Sequence, residues 1–268
     1  EAAFDPLPDS DLRPPALIEA GPTGARRFLL RFDEAVSPVE GSFAVEPADF
    51  GPLAAAAADS ELSLDFPADM RPGLDYRVAG EVEDARGNST RFALSFAGWN
   101  ERPPRLRLSE LQTGKNSSTT RPHRDYVELE CETGGNLGGV EAAWASSVKA
   151  FRYRFPAAEV EVGDFVVLHL APTGLPEELD ETGVALDLSG GVDATAGGRD
   201  FWSSAGGLPD ENGALAVYDR PGGKIVSALF YADEAWAPYL SFHPYYTWVT
   251  AAGDRVRYNA IHETTSAH

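Results

Sequence analysis

The chain has 268 residues, 43% of them hydrophobic, enough to build one large core or two ordinary ones. With 42 acidic side chains against 22 basic ones the net charge is −20, a field that repels nucleic acid and anionic lipid and so argues against both as partners. No apolar run approaches the length of a membrane span, and a single cysteine, Cys131, excludes an internal disulfide.

Residues 1–13, rich in Pro and Asp, read as an N-terminal tether. The first residue is Glu1 rather than Met, which fits a removed leader or a lipid anchor upstream of Glu1. The expectation is an exported protein, held at the cell surface or in the periplasm; an exported domain without disulfides is ordinary in bacteria. From residue 14 onward period-two alternation recurs. Phe28, Leu30 and Phe32 share one face, as do Leu62, Leu64 and Phe66, then Tyr76, Val78 and Val82, then Phe92, Leu94 and Phe96. Turn residues separate these runs, and only the alanine run ending at Ala58, which begins after Leu53, suggests a helical turn. Arg102-Pro103-Pro104 cannot join a central ladder, so a first domain over 14–98 and a second over 105–268 are predicted.

In the second domain Leu106 and Leu108 alternate with arginines, and so do Phe151, Tyr153 and Phe155. Val127, Leu129 and Cys131 lie on one face of their strand, so Cys131 reads as a small buried hydrophobe rather than a reactive thiol. The run Asp164–Leu170 is apolar almost throughout, as a strand buried on both faces is. Val127, Leu129, Cys131, Phe151, Tyr153, Phe155, Phe165 and Val167 are expected in one core. Ala214–Tyr218 and Ile225–Tyr231 form a predicted hairpin, while the Gly- and Asp-rich stretch 171–209 reads as a surface excursion. The fold class expected is all-β, two tandem immunoglobulin-like β-sandwiches.

Residues 14–98 resemble a bacterial Ig-like domain of surface-layer and adhesion proteins. The resemblance rests on Arg31-Phe32-Asp33-Glu34-Ala35-Val36, Leu62-Ser63-Leu64, Met70-Arg71-Pro72-Gly73-Leu74-Asp75-Tyr76 and Val82-Glu83-Asp84-Ala85-Arg86-Gly87-Asn88. In the last of these Asp84 and Asn88 are expected to cap the turn, with Gly87 at positive φ. The second domain is similar to a lamin-tail domain in Leu108-Ser109-Glu110-Leu111, Asp125-Tyr126-Val127-Glu128-Leu129, Tyr153-Arg154-Phe155-Pro156, Val162-Gly163-Asp164-Phe165-Val166-Val167-Leu168 and the closing hairpin. It departs from that pattern at Gly134-Gly135-Asn136-Leu137-Gly138-Gly139. The resemblances imply an exported module that binds protein or carbohydrate at the cell surface.

Candidate chemistry is sparse. Glu110 and Glu128 come from strands expected to be neighbours and could divide acid and base roles; the plainer reading pairs them with an arginine such as Arg105 or Arg154. None of the five histidines has a second ligand at zinc-site spacing, and His169, inside a buried strand, reads as a hydrogen-bonded core histidine. Asp180, Asp187, Asp193 and Asp200 share one loop-rich stretch and are the candidate calcium ligands, the one cofactor considered, against a default of solvated surface. Trp236, Tyr239, Phe242, Tyr245, Tyr246 and Trp248 fall within thirteen residues. Trp236, Tyr239, Tyr245, Tyr246 and Trp248 are candidate ligand contacts, though a cover over the second sandwich is the preferred reading, because exposed aromatic patches of that size are rare. The function expected is a non-catalytic binding, adhesion or spacer module. The alternatives are a carbohydrate-binding or enzyme-accessory module using the aromatic segment, and a hydrolase with its site at Glu110 and Glu128.

Overall fold

Alternating apolar residues need a sheet face to bury against, and in the first hundred residues they find it in two facing antiparallel sheets. The computed structural model describes residues 12–48, 51–114, 123–146, 149–209 and 212–232, and the backbone of 256–260. Contacts divide the chain into two units, Glu1–Glu101 and Arg102–His268. In the first, β1 (Leu17–Gly24), β2 (Arg27–Phe32), β6 (Glu61–Asp65) and β5 (Ala54–Ala58) form one sheet in that order. In the other sheet β7 (Asp75–Glu83) pairs with β8 (Ser89–Ala97) and with the short strands β3 (Ser37–Pro38) and β4 (Ala44–Glu46). Phe28 faces Leu64 and Leu30 faces Leu62 across β2 and β6, and these four join Tyr76, Val78 and Val82 in one buried core.

The alanine run is a strand, not a helical turn. Each of its five residues pairs with β6, and its alternate exposure shows period two, because pairing to an existing strand outweighs the helix preference of alanine. The turn after β7 is built as its residues require. Asp84 Oδ1 accepts the amides of Arg86 at 2.7 Å and Asn88 at 2.9 Å, Asn88 Nδ2 donates to Asp84 Oδ2 at 2.7 Å, and Gly87 sits at φ +85°. The Asn88 side chain, helped by the backbone amides, holds the Asp84 carboxyl below its usual range. A depressed native pKa contributes stability that is present above the unfolded value and lost as pH falls through the native one. The melting-point gap between the wild type and Asp84→Ala is therefore expected to be full at neutral pH and to narrow on acidification, and a gap that widens there would contradict the turn's role.

The second unit repeats the two-sheet plan. One sheet is ordered β9 (Leu106–Gln112), β10 (Asp125–Cys131), β15 (Phe165–Leu170), β16 (Arg199–Ser203). The facing sheet is ordered β13 (Ala150–Arg154), β12 (Glu141–Ala145), β17 (Asn212–Tyr218), β18 (Ile225–Ala232), β19 (Val256–Ala260), and β11 (Gly135–Asn136) pairs with β14 (Glu159–Val160). Two pairs are parallel, β15 with β16 and β18 with β19; the others are antiparallel. Among the described residues the protein is all-β, without an α-helix and so without a helix long and apolar enough to cross a membrane.

Leu108, Val127, Leu129, Cys131, Trp144, Phe155, Leu168, Phe201, Leu215 and Val217 meet in the core between these sheets. Phe151 and Tyr153 pack against it only half-buried. Phe165 and Val167 do not belong to it. Residues opposite each other on neighbouring strands share a face, and Val127 stands opposite Leu168, Leu129 opposite Val166, so Val166, Leu168 and Leu170 point inward and Val167 outward. Burial pushes the Cys131 thiol up to about 12, with the Asp164 charge adding to the rise. Native protein at mildly alkaline pH is expected to resist thiol reagents until denatured; rapid native labelling would remove Cys131 from the core.

Candidate functional site

The outward face of the β9-β10-β15-β16 sheet brings together Glu110, Glu128, Tyr126, His169 and Asp200. Register sets two rows across it. Glu110, Glu128, Val167 and Asp200 stand side by side in one, and Gln112, Tyr126, His169 and Trp202 in the next.

At the open end of this face, Glu110 and Glu128 are directly opposite each other. Neither uses Arg105 or Arg154, which pair instead with Glu132 and Glu141. Tyr126 donates its hydroxyl to Glu110 Oε1 at 2.5 Å, and Ser109, the extra residue of a β-bulge, donates to Glu128 Oε1 at 2.7 Å. Burial, reinforced by Glu110, raises the Tyr126 phenol and keeps it a neutral donor. Glu110 is exposed and Glu128 half-buried.

The other end is covered by the 171–198 segment, and here the residues are wired together from within. His169 is wholly buried, and its Nε2 lies 2.8 Å from Asp200 Oδ1, with Asp200 1% exposed. The imidazole stacks on Trp202 with centroids 4.0 Å apart. Asp200 Oδ2 accepts the Thr195 amide at 3.1 Å. Glu181, 0% exposed, accepts the amides of Leu188 at 2.9 Å and Ser189 at 3.0 Å on Oε1 and that of Asp200 at 3.0 Å on Oε2. Arg199 donates from Nη1 to the carbonyls of Glu181 and Gly183, each at 2.6 Å, and from Nη2 to that of Glu159 at 3.2 Å. Asp180 accepts the Trp202 amide at 2.8 Å and the Tyr153 hydroxyl at 3.0 Å. The excursion is thus bound into the domain by charged side chains that satisfy its own backbone, which is what lets loop backbone lie against a sheet without loss.

These contacts redistribute the expected metal ligands. Asp180 and Asp200 are spent on the partners just given, Asp193 takes the Arg124 amide at 2.7 Å with His123 Nδ1 at 3.2 Å, and Asp187 stands exposed. Among the described residues no three His, Cys, Asp or Glu side chains gather where one ion could be held. Asp180, Asp193 and Asp200 act as separate anchors, so the surface excursion is tied to the sheet at several points. The expected ligand contacts Trp236, Tyr239, Tyr245, Tyr246 and Trp248 lie outside the described residues.

Sequence reasoning placed His169 correctly but found neither its partner nor β16. The available signal was that a histidine inside an apolar strand demands a buried acid or water, and that Arg199-Asp200-Phe201-Trp202 alternates inward and outward. It also left β12 unassigned, since Glu141-Ala142-Ala143-Trp144-Ala145 carries one strong strand former.

A family model described as "TP_1001_2nd: protein second domain" matches residues 104–262, more than half of the chain and every strand of the second unit. The chain belongs to this family. A protein of Treponema pallidum (strain Nichols), described as "Uncharacterized protein", is 35% identical over 162 residues, which are 59% of this chain and 39% of that protein. The chain therefore spans well under half the length of this relative. Among solved structures, that of a DUF4876 family protein from Bacteroides thetaiotaomicron covers 75% of each chain at 10% identity, with a TM-score of 0.30.

Proposed function

We propose that this chain is a non-catalytic binding, adhesion or spacer module of an exported bacterial surface protein, two Ig-like sandwiches in tandem, the second akin to a lamin-tail domain. One observation carries the reading. The buried titratable side chains His169, Asp200 and Glu181 are engaged within the fold: His169 lies against Asp200, and Asp200 and Glu181 accept backbone amides. A catalytic group has to reach its substrate, whereas a recognition surface needs a rigid support beneath it. The matched stretch being a fraction of a longer relative is in keeping with a module inside a larger exported protein.

The hydrolase alternative keeps one point in its favour, the direct opposition of Glu110 and Glu128. Both readings meet in one experiment. The intact chain and a Glu110→Gln/Glu128→Gln variant are compared on a panel of chromogenic glycosides and esters, and on intact producing cells treated with protease. Equal background rates for both proteins, with cleavage of the chain at the cell surface or after opening the outer membrane, are the expected results. Turnover that the double variant loses would establish the hydrolase, and retention in the cytosol would overturn export.

A further inference from the structure

The covering segment has a composition unlike the rest of the molecule. Between Ala171 and Gly198 it carries six acidic residues and not one Lys or Arg. It also holds half of the large apolar side chains that the described residues leave exposed: Leu175 at 42%, Leu179 at 48%, Val184 at 100% and Leu188 at 54%. Val162, on the β14–β15 turn, is 70% exposed. Single exposed apolar residues are unremarkable, but a set of them on one short acidic segment is not.

Their support is the second observation. An ordinary exposed loop would spend apolar side chains on a mobile backbone, and ordering it on binding would cost affinity. Here the backbone beneath them is fixed. Gly190 donates to the Glu177 carbonyl at 2.9 Å, laying the two limbs of the segment against each other. The Glu181 carboxylate fixes the amide of Leu188 itself, and the single guanidinium of Arg199 holds Gly183, next to Val184, and Glu159, three residues before Val162. At the start of the segment Glu178 takes the amides of Thr173, Gly174 and Leu175. Burial works against its charge, yet these bonds and the Thr173 hydroxyl hold its carboxyl below the usual range. Apolar side chains on a backbone held by the buried Glu181 and Arg199, within a segment whose only charges are acidic, make a surface organised before any partner arrives.

We propose that Leu179, Val184 and Leu188, with Leu175 and Val162 beside them, form a docking surface for a basic polypeptide that presents apolar side chains among lysines or arginines. Charge complementarity selects this occupant. A second copy of the chain would bring its own acidic segment against this one, and an anionic lipid surface would be repelled. The inference rests on the binding-module reading and names its partner class.

The probe is a synthetic Leu/Lys amphipathic peptide, titrated by calorimetry into the intact chain, beside a Lys/Ser peptide of equal length and charge. Salt is held at about 150 mM, where the screening length is about 8 Å and diffuse charge attraction is weak. A Leu179→Ser/Val184→Ser/Leu188→Ser variant, changed only at exposed positions, is expected to melt as the wild type does. Saturable binding of the Leu/Lys peptide, weakened about tenfold or more in this variant, with the Lys/Ser peptide weak on both proteins, is the expected result. Equal binding of the Leu/Lys peptide to both proteins overturns the surface while leaving a binding role on another face. Absence of saturable binding overturns the partner class as well, and the cell-surface and turnover measurements above stand apart from either outcome.

Discussion

Glu181→Ala is expected to lower the unfolding free energy of the second unit by about 3–5 kcal/mol, the scale for removing one member of a buried charged network. The side chain is fully buried and accepts three amides, those of Leu188, Ser189 and Asp200. Alanine leaves those donors without their acceptor, fully so at the buried Asp200 amide and partly at Leu188 and Ser189, and each buried orphan costs about 1–3 kcal/mol before the segment relaxes. Because two of these bonds close the segment on itself and the third ties it to β16, the loss should loosen the segment as well as lower stability. Glu181→Gln keeps one carbonyl oxygen and should cost clearly less. Denaturant titration of the three proteins checks the order; a loss below about 1 kcal/mol for the alanine variant would show that the segment does not depend on this carboxylate.

Trp144→Ala should cost a similar amount for a different reason. Among the described residues Trp144 is the largest side chain wholly buried, on the strand between β13 and β17, with the Phe151 ring centroid at 5.8 Å and its Nε1 donating to the Gly206 carbonyl at 3.1 Å. Truncation loses the transfer free energy of the indole and leaves a cavity between the sheets, about 3–5 kcal/mol together. Trp144→Phe retains most of the volume but orphans the Gly206 carbonyl, so it should fall between the wild type and the alanine variant. Thermal or denaturant unfolding of both variants distinguishes the packing part from the hydrogen bond.

What was legible in the sequence follows from which interactions are local. Alternation along one strand is a local property, so the faces of Phe28-Leu30-Phe32, Leu62-Leu64 and Val127-Leu129-Cys131 could be read directly and the all-β fold with them. The Asp84 turn was legible because its bonds join residues at most four apart. Val167 could not be placed, since a strand apolar on both faces carries no alternation and only pairing with β10 decides which face turns inward. The alanine run went the same way: its conformation is dictated by β6, not by alanine.

The site was less legible, because its bonds join distant residues. His169 and Asp200 are 31 apart, and Asp125 reaches the Leu208 amide across 83. An acid in a Gly-rich stretch looks solvated until its partners are known, and Asp180, Asp193 and Asp200 each bond a residue at least 22 positions away. Glu110 and Glu128 were placed opposite each other by strand order alone, and their hydroxyl partners Tyr126 and Ser109 followed from register and a bulge that composition does not announce.

The central claim is that buried charged side chains hold the segment over the β15–β16 end of its sheet as a rigid surface, and amide hydrogen exchange in the native protein tests it most directly. The amides of Leu188, Ser189, Thr195, Asp200 and Trp202, each bonded to a carboxylate, are expected to exchange orders of magnitude more slowly than an open loop, approaching those of β10 and β15. Exchange of Leu188, Ser189 and Thr195 at the rate of unprotected peptide would contradict the account.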